Sequence, residues 1–269
     1  MMRRLWIVAG AAALALLGTG CNKLQSRDQL NKGVQAYKNA QYPQAVENFK
    51  KAVDLDPAFD TARLYLATAY MMQYIPGADS PENVQMAQAA HDQFQKVLDR
   101  DPKNDVALAS IASLFYNQKK FEDAKTAYEK LIAAKPDSKE AYYTLGVIAW
   151  SKFYPVYGAS RAKLGMKPED PGPIKDKKVR EELKAQWLPV VNDGIKNLDK
   201  ALEIDKEYDD AMAYENLLVR ERADLDDDAD QYKKDIQTAD NWVQKALETK
   251  KIKAERKPTS GGITAETSK

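Results

Sequence analysis

The stretch that decides the fold is NDVALASIASLFYNQKKFEDAKTAYEKLIAAKP, residues 104–136. It ends at Pro136, which lies 34 residues after Pro102, and the chain beyond Pro136 begins the same pattern again. Small residues such as Ala112 and Ala124 stand at fixed places, with large apolar residues between them. A period of about 34 residues with this pattern predicts stacked helix–turn–helix units.

The composition of the whole chain narrows the possible functions. Its 41 basic and 40 acidic residues give a net charge of +1, whereas a nucleic-acid-binding protein normally carries a basic excess. With one Cys and one His, the chain has no disulfide framework and no zinc site built from several such ligands. It also lacks a phosphate-binding loop and a Gly-x-Ser-x-Gly nucleophile motif. We therefore expect no catalytic residues, no cofactor, no metal and no nucleic-acid partner.

The first twenty-one residues have the layout of a secretory signal peptide. A basic start, 1–4, precedes an apolar run, 5–17, and small residues then lead to Cys21. The apolar run is shorter than the roughly 20 residues that a membrane-spanning helix needs. This pattern predicts that the protein is exported.

The position of Cys21 resembles the end of the lipobox of bacterial lipoproteins, whose cysteine is lipidated after cleavage. Thr19 and Gly20 fit that pattern, whereas Gly18 replaces the usual large aliphatic residue. The resemblance implies a lipid anchor on Cys21, in the outer membrane and facing the periplasm, since Asn22 is not an aspartate. The alternative is cleavage by the general signal peptidase, because Gly18 and Gly20 also form a small-x-small site, and this would give a soluble periplasmic protein.

The repeated residues resemble the tetratricopeptide repeat over about residues 28–250. In that family, small residues lie where the two helices of a unit cross, and a proline ends the second helix. The resemblance implies an all-α, right-handed superhelix, a helix–turn–helix solenoid of about five units. The predicted segments are a signal peptide (1–21), a short linker (22–27), the array (28–250) with insertions near 74–82 and 152–186, and a disordered polar tail (251–269).

Stacked helical pairs leave a concave groove, which in tetratricopeptide repeats is lined mostly by the first helix of each unit. Transferring those positions to this chain predicts a mainly apolar and aromatic lining. The predicted groove residues are Tyr37, Leu64, Met71, Tyr116, Asn117, Tyr143 and Trp150. Such a surface is expected to bind a peptide or a partner helix. The alternative is that these side chains pack within the array, or that the C-terminal units cover the groove.

The insertion 152–186 is a second candidate site, represented by Tyr154, Tyr157 and Arg161. Long insertions in repeats often lie on the binding face, but a structural flap fits the sequence equally well.

Downstream of this insertion, alternating aspartates from Asp224 to Asp230 partly match a calcium loop. The glycine that such a loop needs for its turn is replaced by Ala229. We therefore expect a solvated linker that caps the next helix.

These patterns predict a noncatalytic scaffold or adaptor of the bacterial envelope that binds a protein or peptide in its groove. An alternative is a small-molecule or enzymatic site formed by the 152–186 insertion. A third possibility is a purely structural, self-assembling protein, which a concentration-dependent oligomer with no bound partner would support.

Overall fold

The computed structural model describes residues 21–167 and 170–256, and within these ranges the chain forms ten helices and no strand. The ten helices divide into an N-terminal unit that ends at Ala134 and a C-terminal unit that begins at Lys135. The predicted all-α fold is therefore confirmed.

Each unit is built from helix pairs in chain order. The N-terminal unit contains α1 (21–38), α2 (Tyr42–Leu55), α3 (Asp60–Met71), α4 (Pro81–Leu98), α5 (Asp105–Asn117) and α6 (Phe121–Ala134). The C-terminal unit contains α7 (Lys139–Lys163), α8 (Lys177–Ile204), α9 (Asp209–Ala223) and α10 (Ala229–Arg256). Within each unit, successive pairs pack on each other, since α2 contacts α3, α4 contacts α5 and α8 contacts α9. The five pairs agree with the five predicted repeat units.

Small residues allow the two helices of a pair to approach closely, as the sequence predicts. Ala112 of α5 and Ala124 of α6 are fully buried. In the first pair, a Cβ atom at Gly33 would overlap the ring of Phe49, which is itself fully buried. The ring thus occupies the space that a side chain at Gly33 would fill.

Gly194 of α8 provides a test of this close packing, because a Cβ atom there would lie 2.6 Å from the Cβ of Ala149 and 2.7 Å from a methyl group of Leu218. We expect Gly194→Ala to lower the free energy of unfolding, because overpacking costs about 1–3 kcal/mol and exceeds the gain in helix propensity. Urea denaturation followed by circular dichroism measures the change.

Gly158 is the matched control, since it is also helical and no atom lies within 4 Å of a Cβ built there. Gly158→Ala should raise the free energy of unfolding by up to about 1 kcal/mol, through helix propensity alone. Equal effects of the two substitutions would show that the α7–α8 crossing does not require a glycine.

The segment between α3 and α4 is tied to the start of α4. Ser80 caps this helix by accepting a hydrogen bond from the backbone N–H of Asn83, and Pro81 occupies its first turn. The Asn83 side chain in turn bonds to both backbone groups of Ile75 and to the carbonyl of Ala78. These bonds fix the loop of residues 72–80 against the helix.

The expectation of a linker at residues 22–27 is wrong, because α1 already includes these residues. Ser26 is fully buried, and its hydroxyl donates a 2.7 Å hydrogen bond to the carbonyl of Ala52. This contact joins α1 to α2 two residues before the predicted start of the array.

The 152–186 insertion is mostly helical rather than an irregular loop. Helix α7 continues through Pro155 to Lys163, and only residues 164–176 separate it from α8 among the described positions. Phe153, Tyr157 and Arg161 follow one another at intervals of four residues and are all buried. Their packing on one face offsets the backbone hydrogen bond that Pro155 removes.

The start of the predicted tail also differs from the expectation, since α10 extends to Arg256. Arg256 Nη1 lies 2.7 Å from Oε2 of Glu207, and Lys253 pairs with Asp209. These ion pairs connect the last turns of α10 to the start of α9. The rest of the predicted tail, 257–269, lies outside the described residues.

Candidate functional site

An aromatic face, defined here as Tyr143, Trp150, Tyr154, Tyr208 and Tyr214, lies along α7 and the beginning of α9. The Trp150 ring stacks on Tyr154 at 4.7 Å and meets the edge of Tyr214 at 5.5 Å. Tyr143 contacts Tyr208 at 5.0 Å and Tyr214 at 5.7 Å. Tyr154 is 42% exposed and the others are half-buried. The face is therefore fixed by ring–ring packing yet remains accessible.

In the N-terminal unit, the predicted groove residues are all half-buried. They lie on α1 (Tyr37), α3 (Leu64 and Met71) and α5 (Tyr116 and Asn117). The Tyr37 ring packs edge-on against Tyr42 at 5.4 Å, and the Tyr116 ring lies 6.1 Å from Phe121. Part of each of these two rings is thus engaged within its own unit, as the alternative interpretation of the groove anticipates.

A cavity of about 510 Å³ also lies in the N-terminal unit, between the 72–80 loop, the first turns of α4 and the end of α5. Asn117 is the predicted groove residue that lines it. Its neighbour Gln118 has a buried carbonyl oxygen with no hydrogen-bond partner among the described residues.

In the C-terminal unit, the insertion residues form a buried polar cluster with the start of the acidic segment. Arg161 Nη1 donates to Oδ2 of Asp224 at 2.6 Å, and the Tyr157 hydroxyl donates to the same oxygen at 2.5 Å. Arg161 Nη2 also donates to the backbone carbonyls of Lys167 and Asp170, at 2.9 and 2.6 Å. The cluster thus ties α7, the 164–176 segment and the end of α9 together.

The electrostatics of this cluster favour a structural role over nucleophilic chemistry. Burial, followed by the nearby Asp224 carboxylate, raises the pKa of Tyr157, so the phenol stays protonated. Burial also raises the pKa of Asp224, against the opposing effects of Tyr157 and Arg161. The paired polar atoms of this cluster form their hydrogen bonds with one another.

Beside the cluster lies a cavity of about 290 Å³ between α7 and α9, which we call the α7–α9 cavity. It is lined by Tyr154, Tyr157, Gly158, Arg161, Ala162, Met166, Leu217, Arg220 and Glu221. Glu221 is only 5% exposed, and its Oε1 accepts a 2.9 Å hydrogen bond from Nε1 of Trp150. Burial raises the pKa of Glu221 to about 8, so this carboxyl is mainly neutral at pH 7.

The structure brings together Tyr154, Tyr157 and Arg161, the three insertion residues that the sequence singled out, and places Trp150 next to them through Tyr154. Sequence reasoning missed Glu221. A signal was present, because Glu221 follows Tyr214 and Leu217 at spacings of seven and four residues, which place all three on one face of a helix. A glutamate on such a helix face is ordinarily interpreted as a solvent-exposed side chain.

The expected solvated linker at 224–230 is wrong for its first residues. Asp224 and Leu225 are buried, and α10 begins at Ala229. Asp226 pairs with Lys184 at 3.3 Å, and Asp227 pairs with Arg180 at 2.6 Å. Asp235 of α10 is held by Arg222 at 2.7 and 2.8 Å. Among residues 21–167 and 170–256, no three His, Cys, Asp or Glu side chains form a metal-binding group.

Cys21 is exposed at the beginning of the described part of α1. The predicted signal residues 1–20 lie outside the described residues. The described helices include no apolar segment of the length that a membrane span requires.

Comparison with known proteins identifies the repeats. Two sequence patterns of the tetratricopeptide-repeat family match residues 30–105 and 85–146. The mitochondrial import receptor subunit TOM70 of Rattus norvegicus is 23% identical over 203 residues, which are 76% of this chain and 27% of that protein. TOM70 of Mus musculus is 22% identical over 203 residues, which are again 76% of this chain and 27% of that protein. The chain thus spans about a quarter of the length of these curated relatives.

Solved structures with a similar fold include MamA and YrrB. The crystal structure of MamA superposes with a TM-score of 0.58 at 15% identity, covering 88% of this chain and 98% of MamA. YrrB, described as a TPR protein with an unusual peptide-binding site, gives a TM-score of 0.50 at 13% identity, covering 83% and 90%. At these identities the likeness concerns the fold.

Proposed function

Because this chain is a tetratricopeptide-repeat protein, we propose that it is a noncatalytic scaffold that binds a peptide segment of a protein partner. The observation that carries the proposal is the aromatic face of α7 and α9, where an exposed Tyr154 stacks on a half-buried Trp150. Rigid aromatic side chains bury a large area at a small loss of conformational entropy, and they dominate many protein–protein interfaces.

The relatives support a protein partner. TOM70 is an import receptor subunit, and YrrB is a TPR protein with a peptide-binding site. In the N-terminal unit, the partly accessible residues Leu64, Met71 and Tyr116 offer further apolar contacts, and methionine adapts readily to different partner side chains.

The test is affinity capture from the protein's own cell envelope, quantified by mass spectrometry for the wild type and Tyr154→Ala. Since Tyr154 is 42% exposed, its truncation should cost about 0.5–1.5 kcal/mol of stability through its stacking on Trp150 and leave the protein folded. We expect capture of the principal partner to fall about tenfold, as for an interface residue that contributes roughly 1.4 kcal/mol.

Leu247→Ala is the control, because Leu247 is 58% exposed on α10, a helix that contributes no residue to the aromatic face. If Tyr154→Ala and Leu247→Ala capture the partner as well as the wild type does, the aromatic face is not the binding surface.

We also propose that the protein is exported and anchored through a lipidated Cys21 in the outer membrane, facing the periplasm. The proposal rests on the signal-like sequence of residues 1–20 and is supported by the exposed position of the thiol. Two or more acyl chains attach a protein stably, because each buried CH₂ contributes about 0.8 kcal/mol.

Replacement of this cysteine tests the anchor. We expect Cys21→Ser to move the protein from the membrane fraction to the soluble periplasm and to abolish incorporation of labelled fatty acid. Membrane association that persists without the label would contradict the proposal, as would a wild-type protein that is never labelled.

A second candidate function is small-molecule binding at the insertion, and the α7–α9 cavity favours it. The paired polar atoms around the cavity serve structural contacts, so a binding site fits this geometry better than an enzymatic site.

A further inference from the structure

Two residues that line the α7–α9 cavity each carry a buried polar atom without a hydrogen-bond partner among the described residues. These atoms are Oε2 of Glu221 and Nε of Arg161. The two residues are 5% and 3% exposed. A buried polar group without a partner costs about 1–3 kcal/mol, so two such groups beside one cavity call for a water or a ligand that satisfies them.

Both atoms act as hydrogen-bond donors. Arg161 Nε always carries a hydrogen. Oε1 of Glu221 already accepts from the Trp150 indole, so the proton of a neutral Glu221 is best placed on Oε2. A ligand must therefore offer an acceptor oxygen to the cavity.

The remaining walls of the cavity are mainly apolar. They comprise the ring of Tyr154, the buried Met166 and the partly buried Leu217, and no atom lies within 4 Å of a Cβ built at Gly158. A volume of about 290 Å³ suits one large side chain or a small molecule of similar size.

The charges around the cavity disfavour an ionic ligand. Arg161 is paired with Asp224, and Arg220 is paired with Asp240 at 2.5 Å, so both arginines beside the cavity have anionic partners. A cation would face these two arginines, and the nearby carboxyl of Glu221 is mainly neutral. An ion without a free counter-charge loses hydration and gains little in return.

We propose that the α7–α9 cavity is a binding site for a neutral, mainly apolar group that carries a hydrogen-bond acceptor such as an amide carbonyl. This site goes beyond the aromatic face, because its selectivity comes from two buried donors rather than from ring contacts. The group belongs either to a residue of a bound polypeptide or to a free small molecule, and these sources share the same chemistry.

The probe is N-acetyl-L-phenylalaninamide, titrated into the full chain labelled with ¹³C at the methionine methyl groups. Met166 is 4% exposed and lines the cavity, so its methyl resonance reports occupancy directly. We expect a saturable shift of this resonance. Ethylbenzene, which lacks the acceptor, phenethylamine, which is cationic, and N-acetyl-L-phenylalanine, which is anionic, should each bind about tenfold more weakly or worse.

Variants connect binding to the cavity and to its donors. Gly158→Leu places a side chain in open space within the cavity and should abolish the shift while the protein stays folded. Glu221→Gln keeps a donor and should bind the amide within about threefold of the wild type. Glu221→Leu should weaken amide binding about tenfold and leave ethylbenzene binding unchanged.

The peptide acetyl-Ala-Phe-Ala-amide distinguishes the two sources. Binding as tight as that of the single amide assigns the site to a polypeptide residue, and binding at least tenfold weaker assigns it to a free small molecule. The proposal is overturned if the amide causes no shift, if Gly158→Leu binds it like the wild type, or if ethylbenzene binds equally well. The amide titration does not depend on the capture experiment with Tyr154→Ala. Failure of the aromatic face as a binding surface can therefore be distinguished from failure of the cavity as a binding site.

Discussion

Arg161→Ala is expected to lower the free energy of unfolding by about 3–5 kcal/mol, because it leaves Asp224 as a buried carboxylate without its cation. The Arg161 and Asp224 side chains are 4% and 8% exposed, and their polar atoms lie 2.6 Å apart. The substitution also removes the donor to the carbonyls of Lys167 and Asp170. Urea denaturation at pH 7, followed by circular dichroism, measures the loss.

Arg220→Ala is the matched control, since this arginine pairs with Asp240 at 2.5 Å in the same unit, with side chains 40% and 62% exposed. Exposed ion pairs contribute about 0–1 kcal/mol to stability, so the free energy of unfolding of this variant should remain close to that of the wild type. A double variant, Arg161→Ala with Asp224→Ala, should lose less stability than the two single variants added together. If Arg161→Ala and Arg220→Ala destabilise equally, burial does not set the strength of these pairs.

Glu215→Gln is expected to make the free energy of unfolding less sensitive to rising pH. Glu215 is 2% exposed, and burial, followed by the charge of Asp199, raises its pKa to about 8, against the opposing effect of Arg222. Between about pH 4.5 and pH 8 the folded protein keeps this proton while the unfolded chain has lost it. Wild-type stability therefore decreases as the pH rises through this window.

The expected difference between Glu215→Gln and the wild type follows from the same linkage. Glutamine carries no titrating proton, so the variant should gain stability relative to the wild type by at most about 1.4 kcal/mol per pH unit across the window. Near pH 4.5 the two proteins should differ least, which provides an internal reference. Urea unfolding at pH 4.5, 6, 7 and 8 measures the difference, and a constant difference at all four values would contradict a raised pKa.

The candidate site could be predicted from the sequence only in part. Trp150, Tyr154 and Arg161 follow from a repeat pattern and from the residue types of an insertion, and the structure groups them around one face of α7. Glu221 and Asp224 did not follow, because a glutamate or an aspartate near the end of a helix is usually solvated. Their burial depends on the continuation of α7 beyond Ser151, which Pro155 and Gly158 argue against locally.

The prediction of a linker at residues 22–27 was wrong for a related reason. A short polar stretch such as Lys23 to Arg27 gives no apolar period, so the start of a helix is not visible in it. The contact that orders it, from Ser26 to the carbonyl of Ala52, joins residues 26 positions apart.

By itself, the sequence determined that this chain is an all-α array of helix pairs, because the positions of small and large residues repeat with a fixed period and local periodicity sets which helix faces pack together. Only the tertiary structure decided which polar side chains are buried and what they contact. Burial removes water from Arg161, Glu221 and Asp224 and thereby alters their energetics, and it arises from neighbours about 60 residues apart in the chain. Sequence spacing carries no information about such neighbours.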